Sequence, residues 1–164
     1  MNDNTKKIAP YGAWLSPITT DLIVAQTIAV GSPRLIGGRP CWIESRPQEA
    51  GRSVIVVDGE DALAEPFSAR SRVHEYGGGS YLPTEDGIYF THFLDQQIYR
   101  VNQRAEPSAL TSAKGCRFAD YCLDEQHQRL ISVVEDHTNP EKEPSNFLAA
   151  VDLTNGEVTP LVQG

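Results

Sequence analysis

The chain has 164 residues, 40% of them hydrophobic, and a formal net charge of −8. This length allows one ordinary domain with a sizeable core, and no apolar run is long enough to cross a bilayer. The acidic charge, without a cluster of Lys or Arg, disfavours nucleic acid as a partner because phosphate binding requires a basic surface. Residues 1–7 are polar and lack the apolar segment of a secretory signal, so the sequence predicts a cytoplasmic location and no membrane partner.

The three cysteines, Cys41, Cys116 and Cys122, are odd in number and irregularly spaced. This argues against a disulfide framework and favours a reducing compartment. Cys116, Cys122 and His127 match none of the paired spacings of zinc ligands, so we expect neither a metal site nor a cofactor.

Near the N-terminus, Ser16-Pro17 has the form of a helix N-cap followed by proline at the first helical position. The sequence therefore predicts a short helix over residues 18–25, within a lead-in segment that covers residues 1–31. A strand is the rival interpretation, because β-branched residues are frequent in this region: Ile23, Val24, Thr27, Ile28 and Val30.

From Ser32 onward the chain is predicted to be all-β, since short apolar alternations are separated by turn residues about every ten positions. The alternations repeat: aligning Trp42, Tyr89 and Ile131 gives separations of 47 and 42 residues. These separations match the roughly 40–50 residues of a propeller blade. The prediction is an incomplete β-propeller over residues 32–164, with about three four-stranded blades at residues 32–66, 77–111 and 117–161.

A fourth candidate strand completes each repeat, at residues 62–66, 107–111 and 157–161. A propeller closes its ring only with about 4 to 8 blades, so three blades leave sheet faces uncovered. We therefore expect this chain to be the first part of something longer, or to self-associate or complete its ring with a second chain.

Residues 72–80, Arg-Val-His-Glu-Tyr-Gly-Gly-Gly-Ser, place ionisable side chains beside three consecutive glycines. Such glycines indicate a backbone that approaches something closely or takes dihedral angles that a Cβ forbids. The pattern predicts a short strand that begins within the glycines and ends at the turn after Pro83. The alternative is a glycine-rich loop with solvated charges.

The predicted topology places several charged groups at one end of the blades. In an antiparallel blade, the start of the first strand and the connection from the second strand to the third lie at the same end. The groups that share this end are Arg72, His74, Glu75, Glu44, Arg46, Glu49, His92, Asp95, Glu135, Asp136 and His137.

Five stretches together resemble a known family: residues 11–19, 42–49, 72–79, 118–121 and 134–137. They are similar to the N-terminal part of the bacterial prolyl oligopeptidase family of serine peptidases, of the dipeptidyl aminopeptidase and acylaminoacyl-peptidase type. The resemblance covers nearly the whole chain. It implies a TolB-like β-propeller, of about six to eight blades in the parent protein, followed by an α/β-hydrolase domain with a Ser-Asp-His triad.

The catalytic part of that family is missing from this sequence. A nucleophile elbow requires G-x-S-x-G, and the nearest match, at residues 78–82, lacks the final glycine. None of His74, His92, His127 and His137 has an evident nucleophile to activate. We therefore predict no catalytic residue and expect the chain alone to be inactive.

In the family, one propeller face meets the hydrolase domain, and the peptide enters the cavity between them. The resemblance therefore implies a non-catalytic segment that gates or docks peptide substrate, whose free amine carboxylates would bind by charge-assisted hydrogen bonds. The candidate substrate-binding residues are Arg72, His74, Glu75, Glu135, Asp136 and His137.

Alternatives to this interpretation stay open. The charged residues serve structure alone if Arg72 pairs with Glu75 or Glu135 and the histidines satisfy backbone groups. For the chain as a whole, the alternatives are a split-propeller interaction module that completes its ring with another chain, and the remnant of a disrupted reading frame. The sequence does not decide between exopeptidase and endopeptidase.

Overall fold

The structure is a computed structural model that describes residues 8–13, 15–24, 27–102 and 105–164. A short helix, α1 (Thr20–Val24), precedes the β-strands, so the predicted N-terminal helix is present. Its predicted start was wrong: Thr19 and not Ser16 caps it, because the Leu22 N–H donates to the Thr19 hydroxyl at 3.1 Å. Residues 1–7, Trp14 and Ala25, which the sequence analysis used, lie outside the described residues.

The strands form three four-stranded antiparallel sheets, each in chain order, which we call blades 1, 2 and 3. Together they confirm a partial propeller, and among the described residues they do not close into a ring. Two short 3-10 helices, Pro47–Glu49 and Glu125–His127, lie in connections. The strands are β1 (Ala29–Ile36), β2 (Arg39–Arg46), β3 (Arg52–Val57) and β4 (Glu60–Asp61) in blade 1, β5 (Tyr81–Thr84), β6 (Gly87–Thr91), β7 (Ile98–Val101) and β8 (Ser108–Ala109) in blade 2, and β9 (Cys116–Asp124), β10 (Arg129–Asp136), β11 (Ser145–Asp152) and β12 (Val158–Gln163) in blade 3.

Two apolar cores hold the blades together, one on each side of blade 2. On β6, Ile88 and Phe90 pack towards blade 1, whereas Tyr89 packs towards blade 3. Phe118 and Leu130 of blade 3 complete the second core. Because both faces of blade 2 are covered, every residue of β6 is buried. Full burial of a side chain such as Phe90 contributes about 1.5–3 kcal/mol to stability.

The fourth strand of blade 1 differs from the prediction, because β4 is Glu60–Asp61 and not residues 62–66. Asp58 and Gly59 have φ angles of 53° and 86°, and this left-handed pair turns the chain directly after β3. Leu63, expected in the strand, instead lies in the connection that follows and is buried in the first core.

The first strand of blade 2 begins later than predicted, at Tyr81 and not within the glycines. The glycine segment pairs with blade 3 instead. Gly79 accepts a hydrogen bond from the Asp120 N–H at 2.8 Å and donates its own N–H to Asp120 Oδ1 at 2.7 Å.

The connection from blade 1 to blade 2, residues 62–80, bonds to all three blades. It therefore joins the three blades by hydrogen bonds and does not merely link blade 1 to blade 2. Its bonds run from the Ala69 N–H to the Ser53 carbonyl (2.8 Å), from the Arg70 N–H to the Thr91 carbonyl (3.0 Å), and from the Ser71 hydroxyl to the Phe118 carbonyl (2.8 Å).

The two outer faces of the array differ in chemistry. On blade 1, Trp42 lies opposite Val56 and donates to Glu44 at 3.0 Å, while Arg46 bridges Glu44 and Asp61 at 2.8 and 2.6 Å. On blade 3, Leu148, Leu161 and Val162 are exposed. An ion network thus lies on one outer face, where Val30 and Leu35 of β1 are nevertheless exposed, and apolar side chains are also exposed on blade 3.

Within the described part of the chain, no helix is long and apolar enough to span a membrane. The same residues contain no group of three or more His, Cys, Asp or Glu that could hold a metal ion.

The structure predicts a large difference between two glycine substitutions. Both Gly156 and Gly38 have left-handed φ angles, of 72° and 78°, so alanine at either position costs about 1 kcal/mol in backbone strain. At Gly156 the new Cβ would also overlap the Leu110 carbonyl oxygen, whereas at Gly38 it meets open space. We expect Gly156→Ala to lower the free energy of unfolding by about 3 kcal/mol or more and Gly38→Ala by about 1 kcal/mol, measured by urea denaturation. Equal losses would contradict the packing of this turn.

Candidate functional site

Glu135, near the end of β10, is the centre of a charged cluster. Its side chain is only 7% exposed. His137 Nε2 lies 2.7 Å and Arg117 Nη1 3.3 Å from Glu135 Oε2, and the His74 N–H donates to Oε1 at 3.1 Å. A buried carboxylate requires such donors, because an unpaired buried charge is strongly destabilising.

Arg117 connects this carboxylate to residues 72–79, which we call the 72–79 loop. It lies on β9 directly opposite Glu135 in the strand pairing. Its guanidinium also donates to Glu75 Oε1 at 2.5 Å and to the Arg72 carbonyl at 2.8 Å. One arginine thus holds the loop against blade 3 through both a side chain and the backbone.

The 72–79 loop has a strained backbone. His74 and Glu75 take left-handed φ angles of 53° and 60°, which cost about 1–2 kcal/mol each in residues with a Cβ. Gly77 is also left-handed, at 79°. A Cβ on Gly78 would lie 2.5 Å from Asp120 Oδ2, so this glycine is required for close approach. The bonds to Glu135 and Arg117 offset the strain.

Four of the six candidate residues meet in this cluster: His74, Glu75, Glu135 and His137. Arg72 joins it through its backbone, and among the described residues its exposed guanidinium has no hydrogen-bond or ion-pair partner. The pairing of Arg72 with Glu75 or Glu135, considered from the sequence, is therefore not formed, because Arg117 takes that place.

Asp136 lies apart from the cluster. Successive strand residues point to opposite faces of a sheet, so Asp136 faces away from its neighbour Glu135. Its carboxylate accepts the Thr138 N–H at 2.8 Å and thereby shapes the connection after β10.

Two residues of the cluster, Arg117 and Gln96, were not predicted from the sequence. Gln96 Oε1 accepts the Arg72 N–H at 2.7 Å. Arg117 could have been predicted from its position opposite Glu135, but this position is known only once the register of β9 against β10 is known.

The remaining charged residues predicted at this end serve structure. His92 is buried, and its Nδ1 accepts the Ser68 N–H at 3.3 Å. The Asp95 carboxylate accepts the Tyr99 hydroxyl at 2.8 Å, and burial together with this bond raises the pKa of Tyr99 to about 12. The others belong to the ion network of blade 1: Glu44, Arg46 and Glu49.

The cluster presents an exposed surface beside its buried centre. The Glu75 side chain is 66% exposed and Tyr76 is 99% exposed, with Arg72 and His74 next to them. The hydrogen bond from Arg117 lowers the pKa of Glu75, with smaller effects from the charges of Arg72 and His137. Glu75 is therefore a carboxylate at neutral pH and can accept a hydrogen bond from a cation or an amine.

Comparison with known proteins identifies similar structures. No family model and no curated protein matches the chain. A puromycin-hydrolysing peptidase of Mycobacterium tuberculosis has a TM-score of 0.81 and 31% identity, over 97% of this chain and 28% of that one. A puromycin hydrolase, also solved as a mutant complexed with PGG, has a TM-score of 0.79 and 32% identity, over 94% of this chain and 27% of its own. This chain thus spans less than a third of the length of these peptidases.

The cluster predicts unequal effects of two matched substitutions on stability. Glu135→Gln places an amide where Arg117 and His137 need an acceptor, so we expect the free energy of unfolding to fall by about 2–3 kcal/mol. Glu75→Gln, on the solvent side of the same arginine, should leave stability nearly unchanged. Urea denaturation measures both. A similar small effect at both positions would show that Glu135 does not hold the loop.

The lowered pKa of Glu75 predicts a pH effect that depends on Arg117. The Glu75–Arg117 pair stabilises the fold above the ordinary glutamate pKa, and this contribution is lost as the pH falls through the lowered pKa. In Arg117→Gln the pKa of Glu75 should rise towards its ordinary value, and in Arg72→Gln it should rise less. NMR titration of the side-chain carboxylate measures both. A larger rise in the pKa of Glu75 in Arg72→Gln than in Arg117→Gln would contradict the hydrogen bond between Arg117 and Glu75.

Proposed function

From the premise that this chain has the fold of the N-terminal β-propeller part of the prolyl oligopeptidase family of serine peptidases, we propose that it gates or docks peptide substrate for a hydrolase domain outside this sequence. The chain itself contributes no catalytic residue. The observation that carries the proposal is the 72–79 loop, which is strained, fixed in place and yet exposes the side chains of Arg72, His74, Glu75 and Tyr76.

Within this proposal, the buried and exposed members of the cluster have different roles. Glu135 is a positioning residue, because its carboxylate is already occupied by Arg117, His137 and the His74 N–H. Glu75 is the group that accepts the free amine of the substrate, since most of its side chain faces solvent. Strain at functional positions is a known way to pre-organise a binding loop.

Tyr76 and Arg72 complete the proposed docking surface. A fully exposed aromatic ring offers a large, rigid contact area to a peptide side chain. The unpaired Arg72 guanidinium offers donors to backbone carbonyls of the peptide. Asp136, which faces away, has no part in this surface, although the sequence analysis included it.

The type of peptidase, its substrates and its location are proposed from the resemblance to the family. We propose that the parent peptidase is of the dipeptidyl aminopeptidase or acylaminoacyl-peptidase type and acts in the cytoplasm on peptides or aminoacyl compounds with a free amine. The three similar structures are all named for puromycin hydrolysis, and the three cysteines are free thiols, as a reducing compartment favours. The lead-in segment, predicted over residues 1–31, is proposed to end at residue 28, because β1 of blade 1 begins at Ala29.

A second candidate function is an interaction module that completes its ring with another chain. The open apolar face of blade 3, with Leu148, Leu161 and Val162 exposed, favours it. Such a face needs a partner surface, and an exposed sheet edge promotes pairing between chains. A stable dimer or a defined complex with a second polypeptide would support this candidate.

Peptide binding to the purified chain tests the docking proposal. We expect equilibrium dialysis to show binding of Phe-Gly-Gly amide and much weaker binding of its N-acetylated form, because acetylation removes the amine that Glu75 accepts. Glu75→Gln should weaken binding of the free-amine peptide about tenfold, as loss of a charge-assisted hydrogen bond does. Glu106→Gln, which changes an exposed glutamate at the edge of blade 2, is the matched control.

Two outcomes would overturn the proposal. Equal binding of the two peptides would show that the amine is not recognised, and an unchanged affinity in Glu75→Gln would remove its assigned acceptor. Light scattering and a chromogenic peptidase assay on the same sample complete the test. We expect no turnover, so hydrolysis by the purified chain would contradict the assignment of a non-catalytic segment.

A further inference from the structure

The segment that leads into the 72–79 loop carries a second exposed arginine. Burial alternates along this segment, so that Arg70 and Arg72 are exposed while their neighbours are buried. The buried neighbours are Ala69, Ser71 and Val73. The two arginines therefore both face solvent, and their Cα atoms lie at most about 7 Å apart, the reach of two residues of chain.

One buried glutamine holds the backbone of both arginines. Gln96 is only 6% exposed. Its Oε1 accepts the Arg72 N–H at 2.7 Å, and its Nε2 donates to the Arg70 carbonyl at 3.3 Å and to the Phe93 carbonyl at 2.8 Å. The Arg70 N–H in turn donates to the Thr91 carbonyl at 3.0 Å. The spacing of the two arginines is thus fixed before any ligand binds, which reduces the entropy cost of binding.

The two guanidinium groups have no carboxylate partner among the described residues. The Arg70 Cζ lies 5.1 Å from the centre of the Phe93 ring, and such a contact leaves the N–H donors at the edge of the guanidinium free. The Asp95 carboxylate, in the adjacent turn between β6 and β7, accepts the Tyr99 hydroxyl at 2.8 Å instead. Acidic residues outnumber basic ones in this chain by 22 to 14. Because carboxylates are so plentiful, two arginines held in place without one indicate that a ligand supplies the acceptor.

The two arginines continue a line of groups that begins at Glu75. The Glu75 N–H donates to the Arg72 carbonyl at 3.0 Å, and a turn of this kind keeps the two Cα atoms within about 7 Å. The hydrogen bond from Arg117 lowers the pKa of Glu75 most, and the charge of Arg72 lowers it further, so the Arg72 side chain lies near Glu75. An acceptor for an amine is thus followed by donors at Arg72 and then at Arg70.

The spacing of these groups fits a short peptide. Three residues of peptide span at most about 11 Å from the amine to the carboxylate. This length is comparable with the two steps of at most about 7 Å that lead from Glu75 past Arg72 to Arg70. The long arginine side chains accommodate the remaining difference.

We propose that Arg70 binds the C-terminal carboxylate of a peptide of about three residues, whose free amine is held by Glu75 and whose backbone carbonyl is held by Arg72. The inference rests on the proposed docking function and adds the class of substrate to it: short peptides with both termini free. The carboxylate accepts charge-assisted hydrogen bonds from the guanidinium, the geometry for which arginine is best suited.

Equilibrium dialysis of the purified chain with two peptides tests the proposal, at constant ionic strength because salt screens exposed charges. Phe-Gly-Gly and Phe-Gly-Gly amide differ only in the C-terminal carboxylate. We expect Phe-Gly-Gly to bind about fivefold more tightly than its amide, as one exposed charge-assisted contact gives. The gain should be smaller for Phe-Gly-Gly-Gly-Gly over its amide, because its carboxylate extends beyond Arg70.

Two variants locate the carboxylate site. Arg70→Gln should lower the affinity for Phe-Gly-Gly to that of the amide and leave the affinity for the amide unchanged. Arg70→Lys keeps the charge and should keep part of the gain. The matched control is Arg34→Gln, which changes an exposed arginine on β1 of blade 1 whose Nη1 donates to the adjacent Pro33 carbonyl at 3.1 Å. It should alter neither affinity.

Three results would overturn the proposal: equal binding of Phe-Gly-Gly and its amide, an undiminished gain in Arg70→Gln, or a gain just as large for the pentapeptide. In each of these cases Phe-Gly-Gly amide still binds through Glu75, and the docking function stands. If neither Phe-Gly-Gly nor its amide binds, the docking function fails and the carboxylate site fails with it. The two failures are thus distinguishable in one experiment.

Discussion

The need to cover both faces of each sheet governs this structure. Blade 2 has a neighbouring blade on each face, and its second strand β6 is accordingly buried along its whole length. Blades 1 and 3 each have one neighbour, and their outer faces differ. Arg46 and its carboxylate partners lie on the first, where Val30 and Leu35 are still exposed, whereas the second has no such ion network and exposes Leu148 and Val162. Both outer faces of the array thus leave apolar residues without a neighbouring blade.

The charged cluster depends on the same packing. The connection over residues 62–80 first forms hydrogen bonds with blade 1, then with blade 2, and then with blade 3 through Ser71. The His74 N–H, further along the connection, donates to Glu135. The left-handed conformation of His74 and Glu75 persists because Glu135 and Arg117 hold both ends of the turn. This loop is pre-organised to bind a ligand. The buried carboxylate holds it in one conformation, so the conformational entropy of the loop is lost during folding and not on binding.

The sequence was sufficient to predict the three antiparallel sheets, because turn residues and β-branched alternations recur at blade length. It was not sufficient to predict contacts that depend on register. A bulge between Ile131 and Val133 shifts the pairing of β9 with β10 by one residue. Without this shift Phe118, and not Arg117, would lie opposite Glu135. The carboxylate was therefore predicted at the correct end of the blade, but its main cation was not, and Arg72 was proposed in its place.

The blades keep their two ends chemically distinct. At one end, a buried carboxylate is satisfied by protein donors, and the exposed groups remain for a ligand. At the other end, Glu85, Asp86 and Glu125 are exposed, and the buried Arg100 Nε has no hydrogen-bond partner among the described residues. Between the two ends lies the core of Ile98, Phe118 and Leu130, each fully buried. Because such a core is close-packed with few voids, the two ends of the blades are separate surfaces that share no contact residue.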